Sequence, residues 1–145
     1  MQCSTQFLEG KKFATQVGTH TIFTDQPVGE GGFDAGPTPP ELLLASLSAC
    51  AAHYAKEYLQ SRNLPMQGLL VTVSAEKGGS PVKLQNFRIY VETGPLDEKY
   101  RPPLLRAVRS CLVHRSLVAG PDFVVELAPA EHDLAMRGCT ALTQS

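Results

Sequence analysis

Four cysteines punctuate this chain of 145 residues: Cys3, Cys50, Cys111 and Cys139. No two have C-x-x-C spacing, which argues against a zinc ribbon or a thioredoxin-type motif. Cys50 and Cys111 each stand on an apolar stretch, while Cys3 and Cys139 lie in terminal segments where no specific role is expected. Two thiols in apolar surroundings have one characteristic reaction. A thiolate attacks a peroxide O–O bond, becomes a sulfenic acid and condenses with the second thiol. The commoner use of a buried cysteine is to pack as a small hydrophobe. Both readings stand on the residues alone.

A reactive thiolate needs a neighbouring cation or a helix N-terminus. The candidate cations are Arg109 and Arg115, then His53 and His114, and Arg115 lies four residues beyond Cys111. Lys11 and Lys12 fall in a hairpin turn and are expected to be exposed. Glu41 has a capping role, and a second reading has it orient a cation beside Cys50. Nine residues, about two and a half turns, put Glu41 and Cys50 on different sides of a helix. Cys50 is expected about three turns inside its helix, beyond the reach of the N-terminal dipole, which fades within the first turn. Cys111 is expected near the C-terminal end of a second helix, where the dipole disfavours a thiolate. Of the two, Cys50 is the better candidate nucleophile and Cys111 the better candidate resolver.

The element that must carry Cys50 is Gly36–Arg62, GPTPPELLLASLSACAAHYAKEYLQSR. Thr38 suits the N-cap, Pro39 the first helical position, and Glu41 the capping-box spacing. From Leu42 to Ala52 the residues are apolar or small on every side, the pattern of a helix wrapped by other structure. The element for Cys111 begins after Gly94-Pro95, with Pro102-Pro103 in its approach. Leu104, Val108 and Cys111 share one face of it, at spacings of four and three.

The remaining chain supplies strands. Residues 3–24 read as a three-stranded antiparallel meander, CSTQFL, FATQV and HTIFT, joined by glycine turns. Residues 25–37 form a Gly/Pro-rich loop, in which Phe33 either anchors the loop or closes over a ligand. Leu69–Lys77 and Leu84–Thr93 alternate and make a hairpin, with Phe87, Ile89 and Val91 inward. Pro121–Ala128 alternates through Phe123, Val125 and Leu127 and reads as a last strand, and the tail from Pro129 has no pattern.

The bulk numbers exclude several classes. With 13 Lys+Arg against 14 Asp+Glu, nothing points to nucleic acid or to a basic membrane-surface helix. No run reaches transmembrane length, and MQCSTQFLEGKK lacks a signal-peptide core. The expectation is a cytoplasmic protein with reduced thiols, folded as a single domain over residues 1–145.

Two of these segments together carry a likeness. GPTPPELLLASLSAC closely resembles the signature of the OsmC/Ohr family, the osmotically induced and organic-hydroperoxide-resistance proteins. AVRSCLVHRSL resembles the family's second cysteine motif, and QFLEGKKF its opening strands. The likeness runs to about Ala128. It implies an α+β fold in which antiparallel sheets pack around a long central helix and a second helix, in an intertwined homodimer with active sites at the interface. It implies thiol-dependent reduction of organic hydroperoxides, with Cys50 matching the peroxidatic cysteine and Cys111 the resolving one. A small dithiol such as a lipoyl group would restore the pair, and no metal, haem or flavin is needed. The chain departs from the family in three places. No Arg precedes Arg62, so the arginine that activates the first cysteine in studied members is missing. Pro40 stands where the glutamate of that branch falls, and Leu112 replaces the proline that commonly follows the second cysteine.

The expected function is therefore a homodimeric thiol peroxidase, with Cys50, Cys111, Glu41 and Arg115 as the site residues. The rival is a non-peroxidase protein of the same fold that binds an apolar small molecule or senses redox state in the interface pocket. A third reading is a stable dimer whose cysteines only pack.

Overall fold

The computed structural model describes residues 1–127 of the chain. It is an α+β protein whose element order is three strands, a long helix, two strands and two shorter helices. It divides into two compact units, residues 1–36 with 122–127, and Pro37–Pro121.

The first unit is the expected meander. Strands β1 (Ser4–Glu9), β2 (Lys12–Val17) and β3 (His20–Thr24) pair antiparallel in the order β1-β2-β3. Cross-strand partners hold the register: Phe7 and Phe13 meet edge-on with centroids 5.7 Å apart, and the Thr5 and Thr15 hydroxyls lie 2.9 Å apart. The loop after β3 is built around Asp25, which is 1% exposed. Its carboxylate accepts from the backbone N–H groups of Gln26 (2.8 Å), Phe33 (2.9 Å) and Ala35 (3.2 Å). Burial pushes this carboxyl up, but those three donors and the Lys12 charge together hold it below the ordinary aspartate value. Gly32 is required by this wrapping, because a Cβ there would sit 2.0 Å from the Gln26 carbonyl oxygen. Phe33 lies against the β1–β2 turn at Gly10 and is 62% exposed.

The expected last strand does not form. Residues 121–127 carry no strand, and Phe123, Val124, Val125 and Leu127 are exposed. Alternation measures how a segment would sit in a sheet, but a strand also has to pair with a partner edge, and this segment pairs with none among the described residues. Ala128, the tail and Cys139 lie outside the described residues.

The second unit opens with α1 (Pro39–Gln60), whose start follows the sequence closely. Thr38 is the N-cap, and the Glu41 carboxylate accepts from the Thr38 backbone N (2.7 Å) and hydroxyl (2.8 Å). Those hydrogen bonds hold the Glu41 carboxyl below its ordinary value. One face of α1 makes the core: Leu47, Ala51, Ala55, Tyr58 and Leu59. The opposite stripe, with Ala45, Ser46, Ala49 and His53, is exposed. The all-round wrapping expected of this helix is thus realised on one side only, because these short side chains meet no covering element among the described residues. His53 is correspondingly a surface residue, edge-on to the Tyr54 ring.

Strands β4 (Leu70–Gly78) and β5 (Lys83–Glu92) form the expected hairpin. It is tied to α1 by the Ser48 hydroxyl, which donates to the Val71 carbonyl at 2.7 Å. The register shifts between Ser74 and Glu76, opposite Asn86 in a left-handed conformation. The expected second helix ends before Cys111, as α2 (Arg101–Arg109), and a further helix not expected from the sequence, α3 (Leu112–Ala119), starts just after it. Leu104 and Val108 of α2 and Cys111 at the break complete the core.

Candidate active site

The site is assembled from the middle of α1 and the α2–α3 junction. Cys50 falls three residues after Leu47, which faces the core, and is partly buried. Cys111 is completely buried. The break between α2 and α3 changes what surrounds its sulfur. Cys111 ends no helix: it is extended (φ −63°, ψ 143°) and serves as the N-cap of α3. Its sulfur accepts from the His114 backbone N–H at 3.3 Å, with the Val113 N–H also in reach. The helix end beside this thiol is therefore the positive one, the reverse of the expectation from spacing. Continuing the Leu104–Val108–Cys111 face by four residues reaches Arg115, a charge that is costly to bury. The chain turns at Ser110 instead, and Arg115 is exposed.

Burial pushes the Cys111 thiol above the ordinary cysteine value of 9.0. The His114 and Val113 N–H groups pull the other way, and a thiolate at Cys50 would accept a hydrogen bond from the Cys111 thiol and repel a second negative charge. The upward influences prevail, so Cys111 is a protonated thiol at neutral pH, directly beside Cys50. Both are free thiols.

A groove of about 860 Å³ is lined by helix neighbours of the pair, among them Leu47, Val108 and His114, but by neither cysteine itself. Leu43 and Leu47 of α1 line one wall, and Phe87, Ile89 and Val91 of β5 another. Leu43, Leu47 and Cys50 follow one another at four and three residues along α1, so the groove's α1 wall runs toward Cys50. The α2–α3 side contributes apolar residues and its two polar groups, Arg109 and His114. The His114 Nδ1 is buried and has no hydrogen-bond partner among the described residues.

Of the four residues expected at the site, two are brought together and two are not. Cys50 and Cys111 meet. Glu41 is engaged in capping α1, and Arg115 projects from the exposed side of α3. His114 and Arg109, named in the sequence only as possible cations, are the polar residues that the groove receives. No group of His, Cys, Asp and Glu among the described residues could hold a metal ion, and no described helix is long and apolar enough to cross a membrane.

Comparison with known proteins agrees with this architecture. Several solved structures share the fold. An OsmC-like protein of Mycoplasma pneumoniae matches with a TM-score of 0.71 at 18% identity, over 82% of this chain and 87% of that one. A Psychrobacter arcticus protein named for osmotic stress induction and detoxification response gives the same TM-score and identity, over 80% and 87%. The organic hydroperoxide resistance protein OhrB of Bacillus subtilis gives 0.55 at 19%, over 83% and 92%. No match was found among curated proteins. The sequence profile described as OsmC-like protein matches residues 29–126, which holds both cysteine segments and the helices that present them, and this chain belongs to the OsmC-like family.

Proposed function

We propose that this protein is a thiol-dependent peroxidase that reduces organic hydroperoxides. The observation that carries the reading is a partly buried Cys50 placed beside a fully buried, protonated Cys111, with an apolar groove lined by their helix neighbours. The Cys50 thiolate attacks the terminal oxygen of ROOH. The O–O bond breaks, Cys50 becomes a sulfenic acid, and the alkoxide leaves and is protonated to ROH. Cys111 then gives up its proton, and its sulfur attacks the sulfenic sulfur. The S–S bond forms, the S–O bond breaks, and the oxygen departs as water. An external dithiol, of which a lipoyl group is one, returns the disulfide to two thiols by exchange and is itself oxidised.

The roles rest on burial rather than on helix ends. The more accessible sulfur meets the peroxide, and the enclosed one, kept as a thiol, waits for the sulfenic acid. Relatives of the same fold named for organic hydroperoxide resistance support the substrate class. The exposed small-residue stripe of α1 supports a homodimer, since a second copy would cover it. A cytoplasmic location suits chemistry that starts from reduced thiols.

The test is turnover of cumene hydroperoxide with dithiothreitol as reductant. Cys50→Ser is expected to bring turnover to background, and a variant as fast as the parent would overturn the role of Cys50. The groove favours one other reading, binding of an apolar small molecule without peroxidase chemistry. Ligand binding in a protein whose thiols resist hydroperoxide would establish that alternative.

A further inference from the structure

The chemistry above leaves one requirement unmet by the cysteines. The alkoxide expelled from a hydroperoxide is a strong base and must be protonated as it leaves, and later the Cys111 proton must move to the departing hydroxide. The groove holds two polar side chains, Arg109 and His114. Arg109 can attract an oxyanion but keeps its proton at any ordinary pH. A histidine both gives and takes protons near neutrality.

His114 is also held in place relative to the sulfurs. It is the third residue of α3, and its backbone N–H is tied to the Cys111 sulfur at 3.3 Å. Its Nδ1 is buried without a partner among the described residues, and a polar nitrogen in that condition costs free energy unless something else uses it. The walls given by α1 and β5 are apolar, so among the described residues Arg109 is the only charged side chain sharing the groove with it.

Building on the peroxidase reading, we propose that His114 is the proton carrier of this site. The neutral imidazole takes the proton from the Cys50 thiol and delivers it to the alkoxide as the O–O bond breaks. It then takes the Cys111 proton and delivers it to the hydroxide leaving the sulfenic sulfur, so that ROH and water are the products and the imidazole ends neutral.

Leaving-group dependence tests this. Cumene hydroperoxide expels an alkoxide that needs a proton, whereas peracetic acid expels acetate, which does not. Rates of Cys50 oxidation are measured with both oxidants on the parent, on His114→Gln and on His114→Asn. The ratio of the two rates is the readout, taken on variants whose circular dichroism and urea unfolding match the parent, because an unfolded thiol still reacts with peracetic acid. Both variants are expected to lose about 10²-fold with cumene hydroperoxide relative to peracetic acid. An unchanged ratio in the variants overturns the role of His114. A parent protein that is not oxidised by cumene hydroperoxide at all overturns the peroxidase reading itself.

Discussion

The middle of α1 and the α2–α3 junction each present a cysteine to the same place, by different means. Cys50 sits inside a helix of 22 residues, where every backbone N–H near it is already committed to the helix ladder. Its sulfur is partly buried rather than enclosed. Cys111 sits where the chain leaves one helix and starts another, so free N–H groups at the start of α3 point at its sulfur. Burial nonetheless outweighs those donors and keeps it a thiol. The lesson of the pair is that enclosure, more than helix polarity, divides the labour between the sulfurs.

Three experiments would break or sharpen that contrast. The largest effect is expected from Cys111→Ser, which removes the resolving sulfur. Serine remains a good N-cap, so α3 should persist while hydroperoxide drives Cys50 past sulfenic to sulfinic acid. Intact-mass analysis should show two added oxygens and no disulfide. Survival of Cys50 as a reduced thiol under excess hydroperoxide would argue against its role.

An intermediate effect is expected in alkylation of the reduced protein as a function of pH. The folded state raises the Cys111 value above 9.0, which stabilises its protonated form, so its reactive thiolate is the minor form below pH 9.0. Peptide mapping after iodoacetamide should therefore find Cys50 labelled first at neutral pH and both labelled after denaturation. Cys111 labelled first would reverse the contrast between the two sites.

The smallest effect separates the structural role of Cys111 from its chemical one. Cys111→Ala removes the cap as well as the sulfur and should be about 1 kcal/mol less stable than Cys111→Ser by urea unfolding. Equal stabilities would mean that the α2–α3 break does not depend on the cap.

The same contrast explains what the sequence made legible. The start of α1 could be read because Thr38, Pro39 and Glu41 are local signals that act within one turn, and each does in the structure what its spacing implies. The break at Ser110–Cys111 carries no Gly or Pro, and the Leu104–Val108–Cys111 spacing fits an unbroken helix. The available sign was Arg115, the charge that an unbroken helix would have put on its buried face. Asp25 was missed for a related reason, since its three partners are backbone N–H groups, which no side-chain pattern reveals. The segment at 121–127 has strand alternation but no partner among the described residues, and alternation alone does not supply one. The cysteine pair was found because two apolar faces each carried a thiol. The imidazole beside them became distinct from the other possible cations only once α3 had turned it into the groove.

The central claim is that Cys50 and Cys111 form one redox couple. One equivalent of cumene hydroperoxide added to the fully reduced protein, followed by acid quench and peptide mapping, tests it most directly. The account predicts a single Cys50–Cys111 disulfide in stoichiometric yield, formed faster than with hydrogen peroxide. Both thiols recovered unmodified, or a disulfide that joins either of them to Cys3 or Cys139 instead, would contradict it.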